Sequence, residues 1–424
     1  MNSIKRAIVK LMPKSFWDSE LYLKYWQCFK LFVTHKHYES VIENFKKCEN
    51  KKIRFGVYVA YDSMFGGKRL CEIINQDSDF ENAKFVIVPN TSRPKKQMIQ
   101  TYNATKKFFT DHYGNDAVID GYDEKTGEFY DRSEMFDVVY IVSPYEVDKH
   151  EFHSPLYLSK QNLLPFFIQY GICNVKFGTK AIASILGINF LWRVFLNNKF
   201  DYDGFKKYGF ADGKNAVISG YAKMDDFVNS NKTNSNKKRI IIAPHHSIKG
   251  SALEISNFLY YSDLLLELPK MFPNVEFIFR PHPHLFVNLL NFGFWSENQI
   301  SEYLEKIKSI MTYSVGGDYL DIFANADGIV HDCASFISEW LYSEKKGCYV
   351  SFDGNIFNKI SELGEISLKF YDIAKNKDDI ISYIKRVEDG TNEPINLNNV
   401  KKNIMVNYPN ASQFIVDEIK KALK

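Results

Sequence analysis

Five of the ten histidines, His245, His246, His282, His284 and His331, fall just past three apolar runs in the second half of the chain. Those runs, 239–243 (RIIIA), 275–280 (VEFIFR) and 328–330, have the composition of buried strands, so the histidines stand where strands give way to loops. In Arg280-Pro281-His282-Pro283-His284 the prolines fix the backbone and exclude helix, so the side chains are presented by a stiff turn. A guanidinium supplies a planar fork and an imidazole a donor, a combination suited to the oxygens of a diphosphate. The same histidines raise the question of zinc, but neither spaced cysteines nor an HExxH segment accompanies them, and the reading is of a site without metal.

A second group runs from Val330 to Trp340 (VHDCASFISEW). The pattern predicts a strand, then small residues, then a helix over 333–343, so free backbone N–H groups and the Ser335 hydroxyl would face an anion. Ser335 and Glu339 are four apart and share a helix face, which puts the carboxylate one turn behind, within reach of ribose hydroxyls. The plainer alternative is that Asp332 or Ser335 caps the helix and Glu339 is solvated.

Positioning these residues requires strands, and from residue 52 onward strands alternate with helices as in a parallel sheet wrapped by crossovers. In the first half strands are expected at 53–60, 84–88, 138–142, 164–169 and 216–219, with the loop 61–67 (YDSMFGG) leading into a helix over 68–75. The polar run 229–238 (NSNKTNSNKK) reads as a linker. Beyond it strands are expected at 239–243, 275–280, 328–330 and 348–352, with a helix at 263–271. The expected organisation is an N-terminal helical extension (1–50), an acceptor-side Rossmann-like domain (51–228), the linker (229–238), a nucleotide-donor domain (239–395) and C-terminal helices (396–424). The fold class is therefore α/β, two doubly wound Rossmann-like domains facing a cleft.

Composition excludes several classes. A chain of 424 residues exceeds one hydrophobic core, and 54 basic against 51 acidic residues leave too weak a field for a protein that coats nucleic acid. An aromatic content of 16% suits thick cores, sugar platforms and membrane interfaces. Six scattered cysteines without a CxxC pair indicate neither disulfide framework nor zinc ribbon, and point to a reducing cytoplasm. No apolar stretch is long enough to span a bilayer, and the start lacks a cleavable apolar leader. The first fourteen residues carry Lys5, Arg6, Lys10 and Lys14 among apolar residues, and aromatic residues follow from Trp17 to Phe32. That segment is read either as a helix packed on the domain or as a foot on an anionic membrane surface, the inner face of the plasma membrane.

The run Asp327-x-x-x-His331-Asp332-x-Ala334-Ser335-x-x-x-Glu339, preceded by Arg280-Pro281-His282-Pro283, resembles the CDP-glycerol glycerophosphotransferase family. These are teichoic-acid and capsule polymerases and primases of GT-B fold. Ala334 stands where the family usually has Ser, and Glu339 where it usually has Asp. Weaker matches are Ala243-Pro244, Gly220 to Asp225 (GYAKMD) and Gln169-Tyr170-Gly171, so the resemblance covers about 165–352. It implies that the second half binds a CDP-activated donor, with His282 and Ser335 on the diphosphate, Glu339 on the ribose and Arg280 neutralising charge as CMP leaves. His245, His284, His331 and Asp332 complete the expected donor site.

The first half would hold a glycan or lipid-linked acceptor near Gly66, Gly67 and Tyr170. Where the family often has a histidine base, this chain has Tyr170, a poor base at neutral pH. Asp62, His153 or Glu151 would then take the proton, with Asp62 slightly preferred because it sits in the loop beside Gly66 and Gly67. The implied activity is transfer of glycerol phosphate or a related polyol phosphate to an acceptor hydroxyl, with no cofactor and no nucleic-acid partner. Two alternatives stand beside it: a GT-B glycosyltransferase using a nucleotide sugar, and a donor-binding subunit without catalysis.

Overall fold

The structure, a computed structural model, describes residues 20–233, 235–316 and 319–424. The basic segment with Lys5, Arg6, Lys10 and Lys14 lies outside the described residues. Described residues begin with helix α1 (Glu20–Lys46), which buries Leu31, Tyr38 and Phe45, one residue every seven. The Tyr38 hydroxyl donates to the Phe190 carbonyl at 2.7 Å, tying the helix to the first half.

The first half is built on seven parallel strands: β1 (Phe55–Val59), β2 (Lys84–Ile87), β3 (Val118–Asp120), β4 (Val138–Ile141), β5 (Leu164–Ile168), β6 (Arg193–Leu196) and β7 (Ala216–Ile218). Their order is β3-β2-β1-β4-β5-β6-β7. Strands β1, β4 and β5 are buried along their whole length, as central parallel strands covered by helices on both faces must be. The second half has six: β8 (Lys238–Ala243), β9 (Val275–Phe279), β10 (Thr312–Tyr313), β11 (Gly328–His331), β12 (Gly347–Val350) and β13 (Tyr371–Ala374), in the order β10-β9-β8-β11-β12-β13. Both halves are thus doubly wound. In each, the chain's direction of travel across the sheet reverses beside the first strand, leaving a crevice between β1 and β4 and another between β8 and β11.

Four strands had no expectation. β3 is partly exposed and ends in Asp120, β10 is two residues long, β13 is buried only at its ends, and β6 is hidden in the longer, mostly apolar run 188–196 without a turn signal. The helix expected over 333–343 is corrected to a short helix α2 (Phe336–Glu339) followed by a tighter turn, Trp340–Ser343. It starts late because the backbone before it is committed elsewhere. The N–H of Cys333 donates to His331 Nδ1, and the Ala334 carbonyl accepts from Asn174 of the first half.

The linker is a pinned strap. Asn231 N donates to Asp321 Oδ1 at 2.9 Å and Thr233 N to Asn325 Oδ1 at 2.6 Å. The terminal helix α3 (Ala411–Leu423) returns to the first half, placing Ile415, Val416, Ile419 and Leu423 in its core. Asp225 accepts from the N–H groups of Ala411 and Ser412 at its start, and Lys420 pairs with Asp77 and Asp79. No helix among the described residues is long and apolar enough to cross a membrane.

Candidate functional site

The loops after β8 and β11 meet at the crevice of the second sheet, and a buried carboxylate fastens them. Asp332 Oδ1 accepts from the N–H of His245 at 2.6 Å, while Oδ2 accepts from Asn257 N at 2.6 Å and Ser256 Oγ at 3.2 Å. The residue is fully buried, and burial pushes its carboxyl up to about 7 against the pull of these donors. Both oxygens are occupied within the protein, so Asp332 sets the shape of the crevice from beneath.

Four imidazoles gather above it. Ring centroids are 4.3 Å apart for His245 and His246, 4.1 Å for His246 and His282, and 5.6 Å for His282 and His284. Burial is the first cause that lowers three of them, with mutual repulsion second: His246 to about 4, His282 to about 3, and His245 well below its ordinary value. His245, His246 and His282 are therefore neutral at pH 7. His245 Nδ1 accepts from Ser247 N and His282 Nδ1 from His284 N, each at 3.1 Å, so the single ring hydrogen of each stands on Nε2, available to an anion's oxygen. The rings pack at tilted and edge-on angles; among the described residues no three His, Cys, Asp or Glu side chains gather to hold a metal ion.

Arg280, at the end of β9, supplies the charge the imidazoles lack. It is 8% exposed, donates to Ser314 Oγ at 2.7 Å and to the Gly316 carbonyl at 2.8 Å, and lies 5.6 Å over the Tyr319 ring. Ser335 is half-buried, with its hydroxyl 3.4 Å from Cys333 Sγ. Its turn is held from the first half: Asn174 Nδ2 donates to the Ala334 carbonyl at 2.9 Å, and Ser338 Oγ donates back to Asn174 Oδ1 at 2.7 Å.

Two residues expected at the donor lie deeper. Glu339 is 2% exposed, and its carboxylate accepts from the hydroxyls of Tyr221, at 2.9 Å, and Tyr319. His331, the last residue of β11, turns into the core against Tyr349 and Tyr371, where burial lowers it to about 3.

The crevice of the first sheet is built of different groups. Asp62 is half-exposed in a single turn after β1. Gly67 is required by packing, since a methyl there would lie 2.9 Å from the Tyr140 ring, whereas one on Gly66 would only crowd Lys223 Cβ at 3.3 Å. The Tyr170 hydroxyl is 2.8 Å from that of Tyr145, and its carbonyl accepts from the Tyr221 hydroxyl at 3.0 Å. Burial and the neighbouring Tyr145 raise the Tyr170 phenol further above neutrality. His153 is fully buried, with Nε2 3.0 Å from the Tyr130 carbonyl, and burial lowers it to about 4.

Sequence reasoning missed Lys149, buried with Nζ donating to the Tyr145 carbonyl and to Ser143 Oγ, and held down to about 8 by burial. It also missed Asn174, Tyr221, Lys223 and Tyr319. Tyr221 and Lys223 sit in the GYAKMD run, which carried a signal; Asn174 and Tyr319 lie in loops without one.

No protein-family model matches the chain, and no curated protein matches it in sequence. Solved structures do. The wall teichoic acid polymerase TagF is similar with a TM-score of 0.55 and 13% identity, covering 94% of this chain and 98% of its own. The UDP-GlcNAc 2-epimerase of Neisseria meningitidis, bound to UDP-GlcNAc, is similar with a TM-score of 0.54 and 12% identity over 88% of this chain and 100% of its own. The Methanocaldococcus jannaschii UDP-GlcNAc 2-epimerase gives 0.54 and 12% over the same shares. At such identity the likeness is one of fold: two Rossmann-like α/β domains in the GT-B arrangement, as the sequence pattern led one to expect.

Proposed function

We propose that the protein is a transferase of cell-surface polymer synthesis. It takes a CDP-activated polyol phosphate, such as glycerol phosphate, and passes it to a hydroxyl of a glycan or lipid-linked acceptor. The observation that carries this reading is the crevice between β8 and β11, where neutral Nε2–H donors of His245 and His282 stand with Arg280 and Ser335 at the position where doubly wound sheets bind nucleotides. The motif resemblance supports a cytidine donor, and similarity in fold to a protein described as a wall teichoic acid polymerase supports the class of product.

In the proposed reaction the acceptor oxygen bonds to the polyol phosphorus while the bond from that phosphorus to the bridging oxygen breaks. CMP leaves with the bridging oxygen and its electron pair, and the acceptor proton passes to a base. Such chemistry asks mainly for alignment and charge neutralisation. Arg280 neutralises, His282 donates to the departing phosphate, and Ser335 fixes the other oxygens. Asp62 is the proposed base, since it is an accessible carboxylate at the first crevice whereas His153 is enclosed in the core. Glu339, in this reading, orders the ribose side of the pocket through Tyr319.

A nucleotide-sugar donor is the second reading, supported by a fold likeness of equal degree to an epimerase bound to UDP-GlcNAc. Turnover of the purified protein with CDP-glycerol and an acceptor supports the first reading. Turnover with nucleotide sugars alone supports the second, and donor binding without any turnover a catalytically silent subunit.

We place the protein in the cytoplasm on the inner membrane face through its N-terminus. Phe29, Phe32 and Val33 of α1, which follow that basic start in sequence, are exposed. Salt-insensitive binding to anionic vesicles, or none, would count against that placement.

A further inference from the structure

The second sheet carries a cavity at the end opposite its crevice, where the strands begin. Its volume is about 170 Å³, and its polar lining is Lys238, Asp327, Lys345, Lys346, Asn392 and Glu393. Lys238 opens β8, Asp327 stands just before β11, and Lys345 and Lys346 just before β12. Residues 389–394, which follow the helix Lys377–Glu388, fold back over these strand starts. Asn392 Nδ2 donates to the Lys346 carbonyl at 3.1 Å, and Lys345 meets Pro394 in an isolated antiparallel bridge. The carbonyls of Lys385, Arg386 and Val387 that end the helix accept from N–H groups of residues 389–392.

Lys346 is paired with Asp372 at 2.7 Å and Lys238 with Asp327 at 3.3 Å. Lys345 differs: it is half-buried, its Nζ donates to the Ala326 carbonyl at 2.5 Å, and among the described residues it forms no ion pair. Asp327, the acid that acts on it, has both oxygens taken, Oδ1 by Lys238 and Oδ2 by the Arg239 N–H at 2.9 Å. Burial is the main cause that lowers the Lys345 ammonium from its usual value; Asp327 opposes the fall, and the charges of Lys232 and Lys238 deepen it. Lys232 is exposed in the linker strap, between Asn231 and Thr233, whose N–H groups bond to Asp321 and Asn325. An ammonium half withdrawn from water among like charges is held at a cost that a small multivalent anion removes. Phosphate brings several acceptor oxygens to such donors. The volume lies below the roughly 300 to 1,000 Å³ of pockets for drug-sized ligands, which restricts the occupant to a small ion or ester.

We infer that this cavity is an anion site, separate from the donor crevice, that binds inorganic phosphate or a small phosphate monoester between Lys345, Lys238 and the linker's Lys232. An occupied site ties the strap joining the two halves to the base of the second sheet, beside the bonds already made by Asn231 and Thr233. The inference does not rest on the nucleotide reading, and either can fail alone.

The test is calorimetric titration of inorganic phosphate and of glycerol 3-phosphate, at constant ionic strength, into the wild-type protein, Lys345→Met, Lys232→Ala and, as a surface control, Lys107→Ala. Methionine keeps the stem of Lys345 and removes the charge. Lys345→Met is expected to weaken phosphate binding tenfold or more and Lys232→Ala about threefold, with Lys107→Ala within twofold of wild type. Phosphate should slow hydrogen exchange in 229–238 and 389–394 of the wild type and not of Lys345→Met. Tighter binding of glycerol 3-phosphate than of phosphate assigns the site to a monoester, and the reverse to the free ion. Equal phosphate affinity in wild type and in a Lys345→Met protein that melts like it overturns the inference, as does protection confined to the loops of the donor crevice. Should Lys345→Met melt lower, the exposed Lys232 decides, and unchanged affinity in Lys232→Ala overturns it.

Discussion

The crevice between β8 and β11 and that between β1 and β4 have the same topology and opposite chemistry. In the second half, Asp332 fastens two loops with both its oxygens, and imidazole N–H groups, a guanidinium and a hydroxyl gather at the crevice. In the first half, the corresponding loops present phenols and amides: Tyr145 against Tyr170, Tyr61 against Asn90, and beneath them Lys149 held by Ser143 and the Tyr145 carbonyl. In the proposed function, the one would take concentrated negative charge and the other a surface rich in hydroxyls. A doubly wound sheet therefore fixes where a ligand goes, and the residues after its strands fix what kind of ligand it is.

The largest effect that would sharpen this contrast is on catalysis. Asp62→Asn is expected to lower turnover by a hundredfold or more with donor affinity unchanged, the size typical of removing a general base. His153→Ala should instead lower the melting temperature by opening a cavity in the core, with turnover per folded molecule retained. Normal turnover in Asp62→Asn would move the base elsewhere and strip the first crevice of its assigned role.

Next in size is the clamp itself. Asp332→Ala leaves the N–H groups of His245 and Asn257 buried without acceptors, so a loss of about 3 kcal/mol or more in denaturant unfolding is expected. Lys149→Met is the matching cut in the first half. Methionine follows the same stem and two acceptors lose one donor, so about 1 to 2 kcal/mol is expected. Equal losses would mean that the second crevice is no more preorganised than the first.

Much of this contrast was legible in the sequence, and the reason is physical. Histidines past β-type runs, prolines flanking His282 and small residues before a helix are local signals, and local signals place residues at strand ends. Which way a side chain turns there is decided by packing. His331 carried the same signal as His245, yet its ring is captured by Tyr349 and Tyr371. Glu339 has the spacing of a solvent-facing carboxylate, but Tyr221 from the other half buries it. Asn174 lies 160 residues from the carbonyl that it holds, and no pattern in a single sequence encodes such a pairing.

Acid should distinguish the halves less sharply. His245, His246, His282 and His331 in the second half and His153 in the first are held by burial below the ordinary value of 6.5. The unfolded chain binds these protons as pH falls through 6.5 while the folded one does not, so stability is lost from about pH 6.5 down towards 4. Asp332 and Asp201, raised by burial to about 7 and about 6, act oppositely, costing stability as pH rises from 4 into that range. With His35 lowered as well, and Glu146 and Asp225 raised, six histidines against four carboxyls predict a melting temperature that falls on acidification between pH 6.5 and 4.5. Bound CDP should steepen this fall if it also requires the imidazoles to stay neutral donors. A flat profile would mean that the imidazole cluster opens to water and is not preorganised.

The smallest expected effect bears most directly on whether the crevices are separate. The Ser335 hydroxyl has the Cys333 thiol as its neighbour at 3.4 Å, and the turn is held through backbone carbonyls, so Ser335→Ala removes a ligand contact without loosening the loop. Its cost should be about 1 kcal/mol in CDP affinity, roughly fivefold, at unchanged melting temperature. Asn174→Ala touches no ligand, yet it leaves the Ala334 carbonyl and the Ser338 hydroxyl without their partner across the domain boundary. If the turn is held in place by the first half, Asn174→Ala should weaken CDP at least as much as Ser335→Ala, and CDP should protect the interdomain loop 170–176 from hydrogen exchange in the wild type alone. Should Asn174→Ala bind CDP like the parent, the donor crevice is complete within its own sheet, and the two halves differ in chemistry without depending on each other for shape.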